Sequence, residues 1–127
     1  MLFDTNFLIA YGKGSKDVPK ARARAYFAAL PHDAPFYISR VTWMDFIAGF
    51  ENVADAEFQL APFTIIEIDP ELWRHGARVI RELGLRGKKI GSADSLIAAT
   101  ALSYGFTLVS NNTKHFKEVR GLDLRGY

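Results

Sequence analysis

The chain has 127 residues, enough for one core and too few for two, and 49% of them are apolar, which excludes a disordered chain. It contains no cysteine, so disulfides, thiolate metal sites and cysteine nucleophiles are all ruled out. A formal charge of +2 with a pI near 9.0 is a mild basic excess, which permits a nucleic-acid partner without requiring one.

In chain order, Leu2-Phe3 is a short apolar start that ends at Asp4, and Phe7 to Tyr11 resume an apolar run, which together read as a first strand with a polar turn at its carboxyl end. Asp4 breaks the long apolar stretch that a signal peptide needs. No segment approaches the ~18 apolar residues of a membrane span. A soluble, cytoplasmic protein with one domain over residues 1–127 is therefore expected. Ser15 to Leu30 has helical periodicity with Ala21, Ala25 and Ala28 on one face, and Pro31 stops it. Phe36-Tyr37-Ile38 reads as a second strand. Ser39 or Thr42 can then cap a helix that carries Val41, Met44, Asp45 and Ala48, with Gly49 near its end.

Residues 51–62 fit a short helix and loop. Thr64 to Ile68 is β-branched and strand-like. Asp69 and Pro70 then open a helix as cap and first residue, through Trp73, Ala77 and Ile80 to Gly84. Leu85 to Gly91 is a basic connector. Arg74, Arg78, Arg81, Arg86, Lys88 and Lys89 crowd into residues 74–89, where Glu82 is the one acid, and Arg86, Lys88 and Lys89 directly precede the next helix. Such a cluster is either a solvated face or a phosphate-contacting one. Ser92 is expected to cap the helix Ala93 to Tyr104, which Gly105 ends. Thr107 to Val109 is a strand, followed by the polar turn Ser110-Asn111-Asn112-Thr113. The β-α-β-α order predicts an α/β fold with a mainly parallel sheet and helices on both faces.

Most acids sit in polar surroundings and read as solvated. Three do not. Asp4 follows the first strand directly, where ligands of open α/β sheets bind. Asp45 lies between Met44 and Phe46-Ile47-Ala48, and Asp is a poor mid-helix residue. Asp94 shares a helix face with Ile97, Ala98 and Ala101, a face that must be buried. Each alone has a plain explanation as a cap, a solvated position or a complement to the helix dipole. Together they can meet at one sheet edge. Carboxylates about 5 Å apart repel by roughly 3 kcal/mol per pair at an effective dielectric of about 20, so a cation or protons must accompany such a cluster. Oxygen donors suit Mg²⁺ or Mn²⁺. Zinc is disfavoured with no cysteine and only His32, His75 and His115. A divalent ion so held suits phosphodiester hydrolysis.

These residues resemble the PIN domain and, within it, the VapC-like toxins. Phe3-Asp4-Thr5-Asn6-Phe7-Leu8-Ile9 is similar to the family's opening, Ile38 to Gly49 to its second motif, Ala93 to Ala101 to its third, and Thr107 to Phe116 to its closing segment. The four matches run in order over nearly the whole chain. The resemblance implies a three-layer α/β/α sandwich and an Mg²⁺- or Mn²⁺-dependent endoribonuclease acting as the toxin of a toxin–antitoxin pair. It also implies a homodimer and a cognate antitoxin that reaches the site. By match of motif, Asp4, Asp45 and Asp94 take the acidic, metal-holding positions. The second motif usually supplies Glu, where this chain has the shorter Asp45. A fourth acid is often found where Asn112 or His115 stands, and here neither is acidic. Asn112 is expected to face the carboxylates as the fourth corner of the catalytic set.

Two other readings compete. A phosphatase of the haloacid-dehalogenase type also begins with a strand ending in Asp, but it needs a second Asp where this chain has Asn6. A degenerate PIN module would bind RNA or a protein without cutting. The aromatic residues Phe46, Phe50, Phe58 and Phe63 are expected to leave an exposed patch, which favours a dimer interface.

Overall fold

The computed structural model describes residues 1–12 and 18–127. Strand β1 (Leu2–Phe3) leads into helix α1 (Thr5–Gly12), and α2 (Val18–Ala28) follows. Then come β2 (Tyr37–Ser39), α3 (Arg40–Ala48), α4 (Val53–Gln59), β3 (Thr64–Ile66) and the long α5 (Pro70–Leu85). The chain closes with α6 (Ser92–Tyr104), β4 (Leu108–Val109), the single turn α7 (Thr113–Phe116) and β5 (Leu124–Arg125). The strands form one sheet in the order β3-β2-β1-β4-β5, and every neighbouring pair is parallel. The expected parallel α/β sheet is therefore present; the edge strand β5 has no counterpart among the elements expected from the sequence.

Alternation along the strands builds two cores. Successive side chains of a strand point to opposite faces. Leu2 and Leu108 accordingly join Val79, Leu83, Ile97, Ala98 and Phe116, the layer made by α5, α6 and α7. Phe3, Ile38 and Val109 join Phe7, Leu8, Ala23, Phe46, Ala56 and Leu60, the layer made by α1 to α4. Fully burying one such side chain contributes about 1.5–3 kcal/mol. The second layer is rich in rings: Phe3 lies 4.6 Å from Phe7, and Phe27 lies 4.8 Å from Phe36, centroid to centroid.

Helix ends follow local chemistry. Ser39 caps α3 by accepting from the Val41 amide, whereas Thr42 is buried inside the helix. Asn52 caps α4, and Asp69 caps α5, whose first residue is Pro70. The last turn of α5 closes through Gly87, at φ +71°, whose amide donates to the Gly84 carbonyl while the Lys88 amide donates to the Leu83 carbonyl at 2.8 Å. This Schellman closure needs the left-handed conformation that glycine adopts freely. Gly105, at φ +68°, ends α6 in the same way.

Several expectations are corrected. Phe7 to Tyr11 belong to helix α1, because the Asp4 carboxylate caps the chain into a helix at once. The alanine face of α2 is exposed, and Ala23, Tyr26 and Phe27 pack inward instead. The expected start of that helix, at Ser15, lies outside the described residues. Gly91, not Ser92, occupies the cap position of α6, and no side chain caps it. Of the four phenylalanines expected to form a patch, Phe46 and Phe63 are buried, Phe50 is half-buried, and Phe58 alone stands out in solvent. Among the described residues no helix is long and apolar enough to cross a membrane.

Candidate active site

The site begins where β1 meets α1. Parallel pairing sets Phe3 beside Val109, so the next residue of each strand, Asp4 and Ser110, emerges at the same carboxyl edge. The Asp4 amide itself donates to the Val109 carbonyl. Asp4 is 3% exposed. Its Oδ1 accepts from the Phe7 amide at 2.8 Å, and its Oδ2 accepts from the Ser110 hydroxyl. Ser110 is fully buried and in turn accepts from the Asn112 amide at 2.9 Å.

Asp94 reaches the same edge from the first turn of α6. It lies within electrostatic reach of Asp4: burial, first, and the Asp94 charge, as a smaller contribution, push the Asp4 carboxyl above its ordinary value of 3.8 against the two hydrogen bonds that oppose the shift. The Asp94 side chain is three-quarters buried, and its Oδ2 lies 2.8 Å from His115 Nδ1. A carboxylate is only an acceptor, so Nδ1 carries the ring proton here. The Asn112 side chain also meets Nδ1, at 3.0 Å. With that proton directed to Asp94, Nδ1 has no lone pair left to accept from Asn112, so this contact is a close approach and not a second hydrogen bond.

The four residues singled out from sequence therefore stand as follows. Asp4 and Asp94 converge. Asn112 touches the pair only through Ser110 and His115. Asp45 is exposed on α3, one turn beyond the buried Thr42, and among the described residues it does not gather with the two carboxylates into a metal-holding group. Its helix nonetheless packs against both α1 and α6. Three participants were not in that set. Ser110 is the first polar residue after an apolar strand, a signal open to reading. His115, the other position of the closing segment at which a fourth acid is often found, holds Asp94. Tyr127, whose phenol is pushed up to about 12 by burial and by the Asp4 charge, packs its ring edge-on to Phe7 at 4.8 Å. It lies too far along the chain for spacing to announce it.

The donor set fits a hard divalent cation. Two carboxylates converge at a strand edge, and the buried Thr5 Oγ1 and Thr42 Oγ1 have no hydrogen-bond partner. Mg²⁺ is commonly held by one or two carboxylates, with water and substrate oxygens completing the shell. Among the described residues no group of three or more acidic or histidine side chains is gathered tightly enough to form a cage. Asp4 and Asp94 would be the ligands.

A parallel sheet between two helical layers, with an acidic pair at the carboxyl edge of its central strands, defines a class of α/β hydrolytic scaffolds. The PIN-domain profile matches residues 1–122, and this chain belongs to the PIN-domain family. It is 29% identical to ribonuclease VapC1 of Rickettsia felis over 98% of this chain and 93% of that protein. It is 34% identical to the tRNA(fMet)-specific endonuclease VapC of Shigella flexneri over 67% of this chain and 70% of that one. Its fold superposes on a toxin–antitoxin complex from Klebsiella pneumoniae with a TM-score of 0.77 and 27% identity, covering 95% and 93% of the two chains.

The raised titration of Asp4 makes a signed prediction. At low pH the carboxyl is protonated in both folded and unfolded chains, and no cost arises. As pH rises from the ordinary value of 3.8 through the higher folded value, the unfolded chain ionises first and the folded state loses stability. Asp4→Asn should therefore melt higher than the parent at pH 7 in EDTA, and the difference should close as pH falls through that window. A lower melting temperature at pH 7 would mean that the ionised cap on α1 outweighs its burial.

Proposed function

We propose that this protein is a divalent-metal-dependent endoribonuclease of the VapC type, the toxin of a toxin–antitoxin pair, in which residues 1–127 act as one domain. The convergence of Asp4 and Asp94 at the carboxyl edge, in a PIN-domain chain whose relatives are named ribonucleases, carries the reading. Mg²⁺ or Mn²⁺ held by the two carboxylates would supply Lewis acidity toward the phosphodiester and its attacking water. The chain's own groups do the rest. Ser110 and the Phe7 amide fix the Asp4 carboxylate. His115 fixes Asp94, and Asn112 ties the two halves together. Asp45, exposed on α3, would contribute as the third acid of the site through its charge. An antitoxin is the proposed protein partner, since the solved relative above is a toxin–antitoxin complex.

A non-cleaving PIN module is the second reading. It draws on the exposure of Asp45 and the missing charge at Asn112. Purified protein incubated with RNA and Mg²⁺ or Mn²⁺ decides between them. We expect cleavage that EDTA stops, that Asp4→Asn and Asp94→Asn abolish, and that Asp45→Asn lowers by about tenfold or more, in line with the loss of one group at a metal site. Binding of RNA without cleavage by the parent protein would favour the second reading.

The state of Asn112 is testable without activity. Asn112→Asp should tighten Mn²⁺ binding in calorimetry or add a second binding event, because it brings a third carboxylate beside the pair. Unchanged affinity and stoichiometry would place Asn112 outside the metal shell.

We also propose a homodimer. The support is the exposed apolar surface of α5, where Trp73 is 56% and Leu85 80% accessible, rather than the largely buried phenylalanines of residues 46–63. Light scattering should give twice the chain mass; a monomer at high concentration would count against it.

A further inference from the structure

We infer that the cleft walled by Lys88, Lys89, Lys114 and Lys117 is a subsite for a backbone phosphate of RNA, adjoining the carboxylate pair; the inference rests on the ribonuclease reading. The cleft has a volume of about 430 Å³ and is lined by Leu83, Gly87, Glu118 and His115 besides the four lysines. Its walls come from separate parts of the chain: the α5–α6 connector on one side, α7 and the residues after it on the other.

Of the basic residues gathered between 74 and 89, only Lys88 and Lys89 face this cleft. Arg74 pairs with Glu71 on α5. Arg86 is a tie between the walls: it donates to the Glu118 carbonyl at 2.6 Å and approaches the carboxylates of Glu82 and Glu118 at 3.6 and 3.9 Å. Glu118 is the single acid of the cleft and is engaged with that tie. Among the described residues none of the four lysines has a carboxylate partner. The Gly87 turn and the hydrogen bond from the Lys88 backbone N–H to the Leu83 carbonyl hold the connector in one shape, so the ammonium groups are delivered by a fixed backbone.

The chemistry selects the ligand. Four mobile point charges over a floor of one leucine recognise an anion by charge and offer no apolar pockets for peptide side chains. The location selects the substrate. His115 lines the cleft and holds Asp94, so it is shared by the cleft and the carboxylate site. A strand whose scissile phosphate lies at the carboxylates can lay a neighbouring phosphate among the lysines. Such contacts hold the strand without reading its sequence.

The test compares the parent with a variant in which Lys88, Lys89, Lys114 and Lys117 are all replaced by Gln, and with a second variant carrying Arg at the same four positions. Binding of a single-stranded oligoribonucleotide is measured in the Asp94→Asn background across a salt series, and steady-state cleavage is measured with Asp94 intact. For the Gln variant we expect the slope of log affinity against log salt to fall by about 0.7 for each phosphate that is no longer neutralised. We expect KM to rise by roughly an order of magnitude at moderate salt, with a smaller change in kcat. The Arg variant should restore both. RNA cleavage by the parent, with slopes and KM unchanged in the Gln variant, would overturn the subsite and leave the ribonuclease reading standing. Loss of polyglutamate binding with RNA parameters unchanged would assign the cleft to an acidic protein segment and overturn it as well. No cleavage of RNA by the parent would sink the ribonuclease reading and the subsite with it.

Discussion

The parallel pairing of β1 with β4 is the constraint on which the rest depends. The register that sets Phe3 against Val109 leaves Asp4 and Ser110 side by side at one edge, although 106 residues separate them. A carboxylate that is 3% exposed cannot stand alone in such a place. It is held by an amide of the helix it starts and by a hydroxyl of the strand alongside. Both donors are neutral, so they anchor the group without cancelling its charge. A second carboxylate enters from α6, and the combination leaves net negative potential in a partly enclosed edge, the condition under which a hard cation gains most.

The surrounding charges are arranged by distance. Acids sit at the strand edge, a histidine stands at their border, and lysines occupy the next cleft out. Arg86 is kept from adding to that positive field because Glu82 and Glu118 engage it. Within one run of basic residues Arg74 and Arg86 are thus ion-paired, whereas Lys88 and Lys89 have no carboxylate partner among the described residues. Burial and partners separate the two roles; composition does not.

The elements legible in the sequence were those with a strong local cause. Asp69-Pro70, Ser39 and Gly105 mark helix ends by chemistry confined to a few residues. The face that Asp94 shares with Ile97, Ala98 and Ala101 is buried as helical spacing requires. Phe7 to Tyr11 escaped because an apolar run after a strand has no period that separates strand from helix, and the capping role of Asp4 decided the matter. Strand β5 has two residues and no pattern to announce it; partner geometry alone makes it a strand. At the site, Asp4 and Asp94 could be named from their flanks. The Asp94–His115 contact could not, because it joins two helices of one layer, α6 and α7, whose relative placement is set by the strand β4 that connects them. The exposure of Asp45 is likewise a matter of where α3 lies over the core, and its apolar neighbours in sequence gave the opposite impression.

Helix α6 has one more consequence. Every residue from Ser95 to Ala101 is buried, so the middle of this helix is enclosed by α5, α3 and the sheet. An element walled in this way has no small opening motion of its own: its amides can reach solvent only when the whole layer comes apart. Asp94 is mounted on the first turn of that helix. That turn is itself only partly buried, so Asp94 stands at the mouth of the enclosed segment and is anchored by the residues that follow it.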